Sequence, residues 1–320
     1  MVRTGTAAKP WSATPPPDTI FVFILRTRQI DPQKKRGITC SVACHQIHKP
    51  RDSSVAKVLL GCPTHDGRVF DGCAKVFYKN ASQHHRVEPV VATFSLLTAN
   101  CNILWAMALN SYEAKQVDWF ALIHSDVQPE AFWIDRLIAE ADAHGADMLS
   151  AVIAIKNDRG LTSTAISDPH DDCGKFIRLT TSQVRHPSFP VTFDGDMAVQ
   201  ALRSLPANLR LEAPTGARLL CNTGCIVCRL GPWCDPRKVY FDEVTRFERI
   251  NNQWKPFIRS EDWFFTGQAV AAGAKVMATT TLKVLHLGLT PFPNDRAWGS
   301  PLDEEGLAQW DALSKMPSST

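Results

Sequence analysis

Residues Asp118 to Pro129 read DWFALIHSDVQP. Trp119 to Ile123 is an unbroken apolar run between polar flanks, the pattern of a strand buried on both faces of a largely parallel sheet. The run stops at His124-Ser125-Asp126. Groups at the carboxyl end of such a strand lie where open α/β sheets take their ligands, and an imidazole two residues before a carboxylate lets both reach one cation. Pro129 then predicts a helix over Glu130 to His144, stopped by Gly145. The polar tripeptide is thereby expected in a short strand-to-helix turn suited to a metal-bound diphosphate.

Upstream, Val58 to Leu60 reads as another buried strand, and Gly61 to Gly67, GCPTHDG, as a turn-rich loop at its end. Thr64 and Asp66 in that loop are placed to hydrogen-bond a nucleotide base or ribose, though Gly and Pro there also serve a plain connection. Val69, Cys73, Val76 and Phe77 recur at helical spacing, and Val90 to Phe94 is extended. After a cap region at Thr98 to Asn100, the residues Ile103, Leu104, Met107 and Ala108 mark an amphipathic helix. This alternation of strand and helix predicts an α/β chain with a mostly parallel sheet flanked by helices.

Downstream, Met148 to Ile155 is expected as a strand, and Lys156 to Ser167 as a polar loop at its end that either faces a ligand or is a surface connection. Residues 168–212 have weak periodicity and are expected to cover a site or form a small antiparallel subsheet. Cys221, Cys225 and Cys228 share the C-x3-C-x2-C spacing of three-thiolate iron–sulfur sites. Ile226 and Val227 instead favour a strand, which sends alternate thiols to opposite faces as buried hydrophobes. Ser260 is a candidate helix cap, with Glu261 and Asp262 in the first turn and Gly273 at the end. Two short strands follow, at Lys275 to Ala278 and Lys283 to Leu285, the second leading into His286-Leu287-Gly288.

The 320 residues, 44% hydrophobic and 21% charged, suffice for one large core or two small ones. Net charge is only +3 but unevenly spread: residues 1–56 hold nine Lys or Arg against three Asp or Glu, and the remainder 26 against 29. That division predicts a basic, Pro-containing arm over 1–56, a folded domain over 57–290 and a tail over 291–320. The arm reads as a solvated tail, with contact to nucleic acid or an anionic membrane as the competing reading. Cys40, Cys44, His45 and His48 are zinc-type ligands, but they crowd into nine residues and read as a local polar segment. The early apolar run Ile20 to Leu25 is too short for a signal-peptide core or a membrane span, so a cytoplasmic protein with reduced thiols is expected.

The order of these signals is more specific than any one of them. A strand-end PTHDG, a strand-end HSD, NTGCIVCR, SEDWFF and a strand ending HLG together resemble the GT-A glycosyltransferases, family 2-like members of bacterial and phage type. The resemblance spans Lys57 to Gly288. It implies a nucleotide-diphospho-sugar transferase fold and metal-assisted transfer of a sugar, with inversion the expected course. His124-Ser125-Asp126 matches the DxD motif with His in place of the first acid. On that match Asp126, with His286 and His124, would bind Mn²⁺ or Mg²⁺ on the diphosphate of a nucleotide sugar, a UDP-sugar by expectation. Pro63, Thr64 and Asp66 match the first nucleotide-binding loop, Ser125 lies within the motif, and Gly224 matches the turn lining the sugar and acceptor pocket. Glu261 and Asp262 resemble the pair that supplies the general base, with Asp262 ranked first.

Two other classes compete. A sugar nucleotidyltransferase would share the sheet but wants a glycine-rich, basic first loop, which this chain lacks. A non-catalytic GT-A-like protein would bind nucleotide or a partner without turnover. Nucleic acid, glycan and protein all remain open as the acceptor.

Overall fold

The computed structural model describes residues 55–167, 176–211, 216–288 and 291–297. The chain divides into units 1–49 and 50–320, and the described residues belong to the second. The expected arm up to residue 54, its Cys/His quartet and the tail beyond 297 lie outside them.

In chain order the elements run β1 Lys57–Thr64, α1 Asp71–Tyr78, β2 Arg86–Thr93, α2 Leu97–Glu113, β3 Trp119–Ile123, β4 Val127–Pro129 and α3 Trp133–His144. Next come β5 Met148–Ala151, β6 Leu161–Ser167, β7 Phe176–Thr180, α4 Thr181–Val184, β8 Thr192–Phe193 and α5 Gly195–Ser204. The last are β9 Arg218–Leu220, β10 Cys225–Arg229, β11 Val244–Ile250, β12 Gln253–Arg259, α6 Glu261–Ala271, β13 Val276–Thr279, β14 Val284–Leu287 and β15 Pro291–Pro293.

A seven-stranded sheet of order β2-β1-β3-β10-β5-β13-β8 forms the centre. β1 pairs in parallel with β2 and β3, and β13 with β5; β10 is antiparallel to both β3 and β5, and β8 is antiparallel to β13. Five of the seven strands therefore share one direction, a mixed α/β sheet that is mostly parallel. Every side chain of β3 is buried, and the pleat sends alternate residues to opposite faces. Phe120 and Leu122 join a cluster with Leu104 and Trp105 of α2, Leu202 of α5 and Phe265 of α6. Trp119, Ala121 and Ile123 join one with Phe77 of α1 and Trp133, Leu137 and Ile138 of α3. The sheet is thus the middle of three layers, and small antiparallel sheets lie outside it.

The cysteine reading holds. Cys225 lies in one core cluster and Cys221 and Cys228 in the other, and burial raises all three thiol pKa values well above the ordinary range. Such thiols act as small hydrophobes.

Several boundaries differ from expectation. The helix expected to open at Pro129 starts at Trp133, because Val127–Pro129 pairs with β14 and Glu130 N–H extends the contact to the Lys283 carbonyl at 3.0 Å. Phe132, at φ 60°, turns the chain into α3. Gly61 to Thr64, expected in a loop, continues β1 through pairing with Val90 to Thr93. The expected loop 156–167 contains β6, held between β7 and β9. Ser260 precedes α6 without a side-chain capping bond. The β11–β12 hairpin turns through Asn251 and Asn252, both at positive φ, the backbone that two-residue hairpin turns favour. Phe247, Trp254 and Ile258 point out from it and are more than half exposed. β12 then feeds directly into the first turn of α6.

Candidate active site

Past the end of β3 the backbone is tied on several sides. His124 N–H donates to the Gly224 carbonyl at 3.0 Å, Phe70 N–H to the Ser125 carbonyl at 3.1 Å, and Leu287 N–H to the Asp126 carbonyl at 2.8 Å. The expected motif is therefore wedged between the first loop, the turn before β10 and β14. Ser125 is anchored through its main chain.

The Asp126 carboxylate is the focus of charge. Its Oδ2 lies 3.7 Å from His286 Nε2 and also takes an ion pair from Lys156 Nζ. Burial by itself would raise the Asp126 pKa, but the adjacent His286 and Lys156 side chains outweigh it and hold the carboxyl well below the usual carboxylate range. His286 lies inside β14 and not beyond its end; its Nδ1–H donates to the Ala154 carbonyl at 2.8 Å. That bond turns Nε2 toward the carboxylate, where it either carries a proton or shares a cation.

His124 precedes Asp126 by two residues, and among the described residues its buried Nε2 has no hydrogen-bond partner. Among the described residues no group of three or more His, Cys, Asp or Glu is set to hold a metal ion. The Asp126–His286 pair nevertheless fits a divalent ion of the kind that takes one or two protein ligands and completes its shell with phosphate oxygens and water. Oxygen and imidazole donors 3.7 Å apart, with the second imidazole nitrogen already fixed, need only a small closure to share an ion.

The acidic helix start reaches the same place through Asn222 to Gly224. Asp262 Oδ1 accepts from Thr223 N–H at 3.0 Å and from the Thr223 hydroxyl. Thr223 is fully buried, and the next residue, Gly224, bonds the His124 amide. A Cβ on Gly224 would sit 3.2 Å from Ile153 Cδ1 and 3.4 Å from Val127 Cγ2, so this close approach suits glycine. Asn222, 2% exposed, donates to the Ala151 carbonyl at 2.9 Å, while its Oδ1 has no partner among the described residues. Arg178 stacks over Trp263 at 4.3 Å; burial lowers its pKa to about 10, against the Asp262 charge.

Burial, then the charges of Asp262 and Glu243, push the Glu261 carboxyl up to about 7. Asp262 is a structural anchor whatever its chemistry. Asp262→Ala removes the acceptor shared by the N–H and the hydroxyl of buried Thr223 and is expected to cost about 2–3 kcal/mol, read as a lower denaturation midpoint.

The first loop is placed less fully than expected. Pro63 and Thr64 lie on β1 and are buried. The Thr64 hydroxyl shares a bond with the Thr93 hydroxyl at 3.1 Å and accepts from Gly67 N–H at 3.0 Å. Asn100 ties the Thr64 carbonyl to the Phe94 carbonyl. Asp66 faces solvent and pairs with Arg68 at 3.4 Å.

The structure thus joins Asp126 to His286 directly and links both to Asp262 through Thr223 and Gly224. Lys156, Thr223, Asn222 and Arg178 were not foreseen as parts of this site. The one sequence signal for Lys156 was its position at the start of a polar strand-end loop.

No known protein family matches the chain, and no curated protein does either. Among solved structures it is similar to the crystal structure of A197 from STIV, at 12% identity and a TM-score of 0.42, over 76% of this chain and 94% of that one.

Proposed function

We propose that this chain is a GT-A-type glycosyltransferase that moves a sugar from a nucleoside-diphosphate sugar to an acceptor hydroxyl. The observation that carries the reading is the convergence at one sheet edge of Asp126, His286 and, through Thr223 and Gly224, the Glu261–Asp262 helix start. Strand ends of this kind are the ligand-binding edge of open α/β sheets.

In this reading Asp126 and His286 hold a divalent metal. Bound there, Mg²⁺ or Mn²⁺ supplies Lewis-acid neutralisation of the charge that grows on the departing diphosphate. The end of β1 and the loop to Asp66 receive the nucleoside, and Gly224 lets the buried turn before β10 pack closely against Ile153 and Val127 beneath the site. The attacking hydroxyl gives its proton to a carboxylate at the start of α6. Glu261 suits that role better than Asp262, because burial raises its basicity toward the range a general base needs, while Asp262 Oδ1 is already bonded to Thr223. Asp262 spends Oδ1 on Thr223 and holds the turn beside the sugar.

The test is a thermal-shift screen of nucleotide sugars with and without Mn²⁺, followed by assay of nucleoside-diphosphate release. A stabilising sugar nucleotide whose effect grows with Mn²⁺, with release accelerated by an acceptor, is the expected result. Stabilisation without release over a broad acceptor panel would instead describe a nucleotide-binding protein. No stabilisation by any sugar nucleotide would end the reading.

A further inference from the structure

We propose that Lys156 is the resident cation of this site: its ammonium occupies the metal position on Asp126 while nucleotide is absent and moves to the diphosphate when metal and nucleotide arrive. The inference rests on the glycosyltransferase reading above. Its basis is that Lys156 Nζ and His286 Nε2 converge on the same oxygen, Asp126 Oδ2. One short segment sets both, since the Ala154 carbonyl fixes His286 and Lys156 follows two residues later.

A divalent ion and an ammonium cannot share one carboxylate oxygen without strong repulsion. The metal therefore binds Asp126 only as Lys156 leaves. The Lys156 side chain is 35% exposed, and its flexible four-carbon stem lets the charge relocate without moving the backbone. A diphosphate offers the displaced ammonium new oxygens, so nucleotide assists metal entry and, by linkage, metal assists nucleotide to the same degree. The lysine is a positioning and binding residue that couples two ligands.

The experiment uses the full chain, with Mn²⁺ binding followed by electron paramagnetic resonance and UDP binding by calorimetry. Each probe is measured alone and in the presence of the other. Lys156→Met removes the charge and keeps the stem; Lys156→Arg keeps a charge. Lys156→Met is expected to bind Mn²⁺ alone about tenfold more tightly than wild type and UDP alone about tenfold more weakly, so that the mutual enhancement shrinks. Lys156→Arg is expected to retain the wild-type sign of both effects. Unchanged or weaker Mn²⁺ affinity in Lys156→Met, with UDP and Mn²⁺ still binding, overturns the role of Lys156 and leaves the functional reading standing. If the wild-type chain, with an unaltered thermal melt, binds neither Mn²⁺ nor UDP in any combination, the functional reading falls and this inference falls with it.

Discussion

Asp126→Asn is expected to lower sugar-nucleotide turnover by about a hundredfold or more while leaving the fold assembled. The substitution keeps the shape of the side chain and removes its charge, the property on which His286 and Lys156 converge. Saturating acceptor with varied donor separates the two parts of the effect: donor affinity and turnover should fall together, because the carboxylate anchors the ion that meets the diphosphate in both the ground and transition states. A second readout is independent of turnover. The folded-state pKa of Asp126 is depressed, so its contribution to stability is complete above the ordinary carboxylate value of 3.8 and is lost as pH falls below it toward the folded pKa. The stability gap between wild type and Asp126→Asn should therefore be widest near neutral pH and should narrow on acidification below about pH 4. Near-wild-type turnover in Asp126→Asn would remove Asp126 from the chemistry. A gap that stayed constant with pH would contradict the ion-pair account.

How much of this was legible in the sequence depends on whether a local pattern had a single physical cause. β3 was legible to the residue, because five apolar side chains between polar flanks admit one arrangement, burial on both faces. The opposed thiols of Cys225 and Cys228 followed from the pleat in the same way. β6 was missed because its hydroxyls look solvated. In the fold Thr162 and Thr164 are buried, and the Thr162 hydroxyl donates to the Leu179 carbonyl, a partner that local sequence does not reveal. Pro129 was read as opening a helix; the signal was overridden by pairing with Val284, more than 150 residues away. The candidate site divides along the same line. Asp126 and Gly224 mark strand ends and could be placed by pattern. Lys156 meets Asp126 from 30 residues away, and a lone lysine in a polar loop carries no spacing that announces its partner.

Glu261→Gln separates the two carboxylates of the helix start. If Glu261 takes the proton, wild-type turnover should rise with pH up to about 7, where its carboxyl ionises, and then level off. The Gln variant should lose about a hundredfold or more in rate, together with that acidic limb. The stability effect has the opposite sign to that of Asp126. A carboxyl whose folded pKa is raised binds more protons in the folded state between its ordinary value of 4.5 and about 7, so stability falls as pH rises through that window. The cause is first burial and then the charges of Asp262 and Glu243, and glutamine carries no charge for either to oppose. Glu261→Gln should therefore melt higher than wild type at pH 8, and the advantage should vanish near pH 4. The two measurements test different links. A melting advantage at pH 8 with turnover and acidic limb unchanged would leave Glu261 a buried, strained acid and return the base role to Asp262. Loss of turnover without the melting advantage would mean that Glu261 is already solvated in the working enzyme, and the pH limb would then belong to another group.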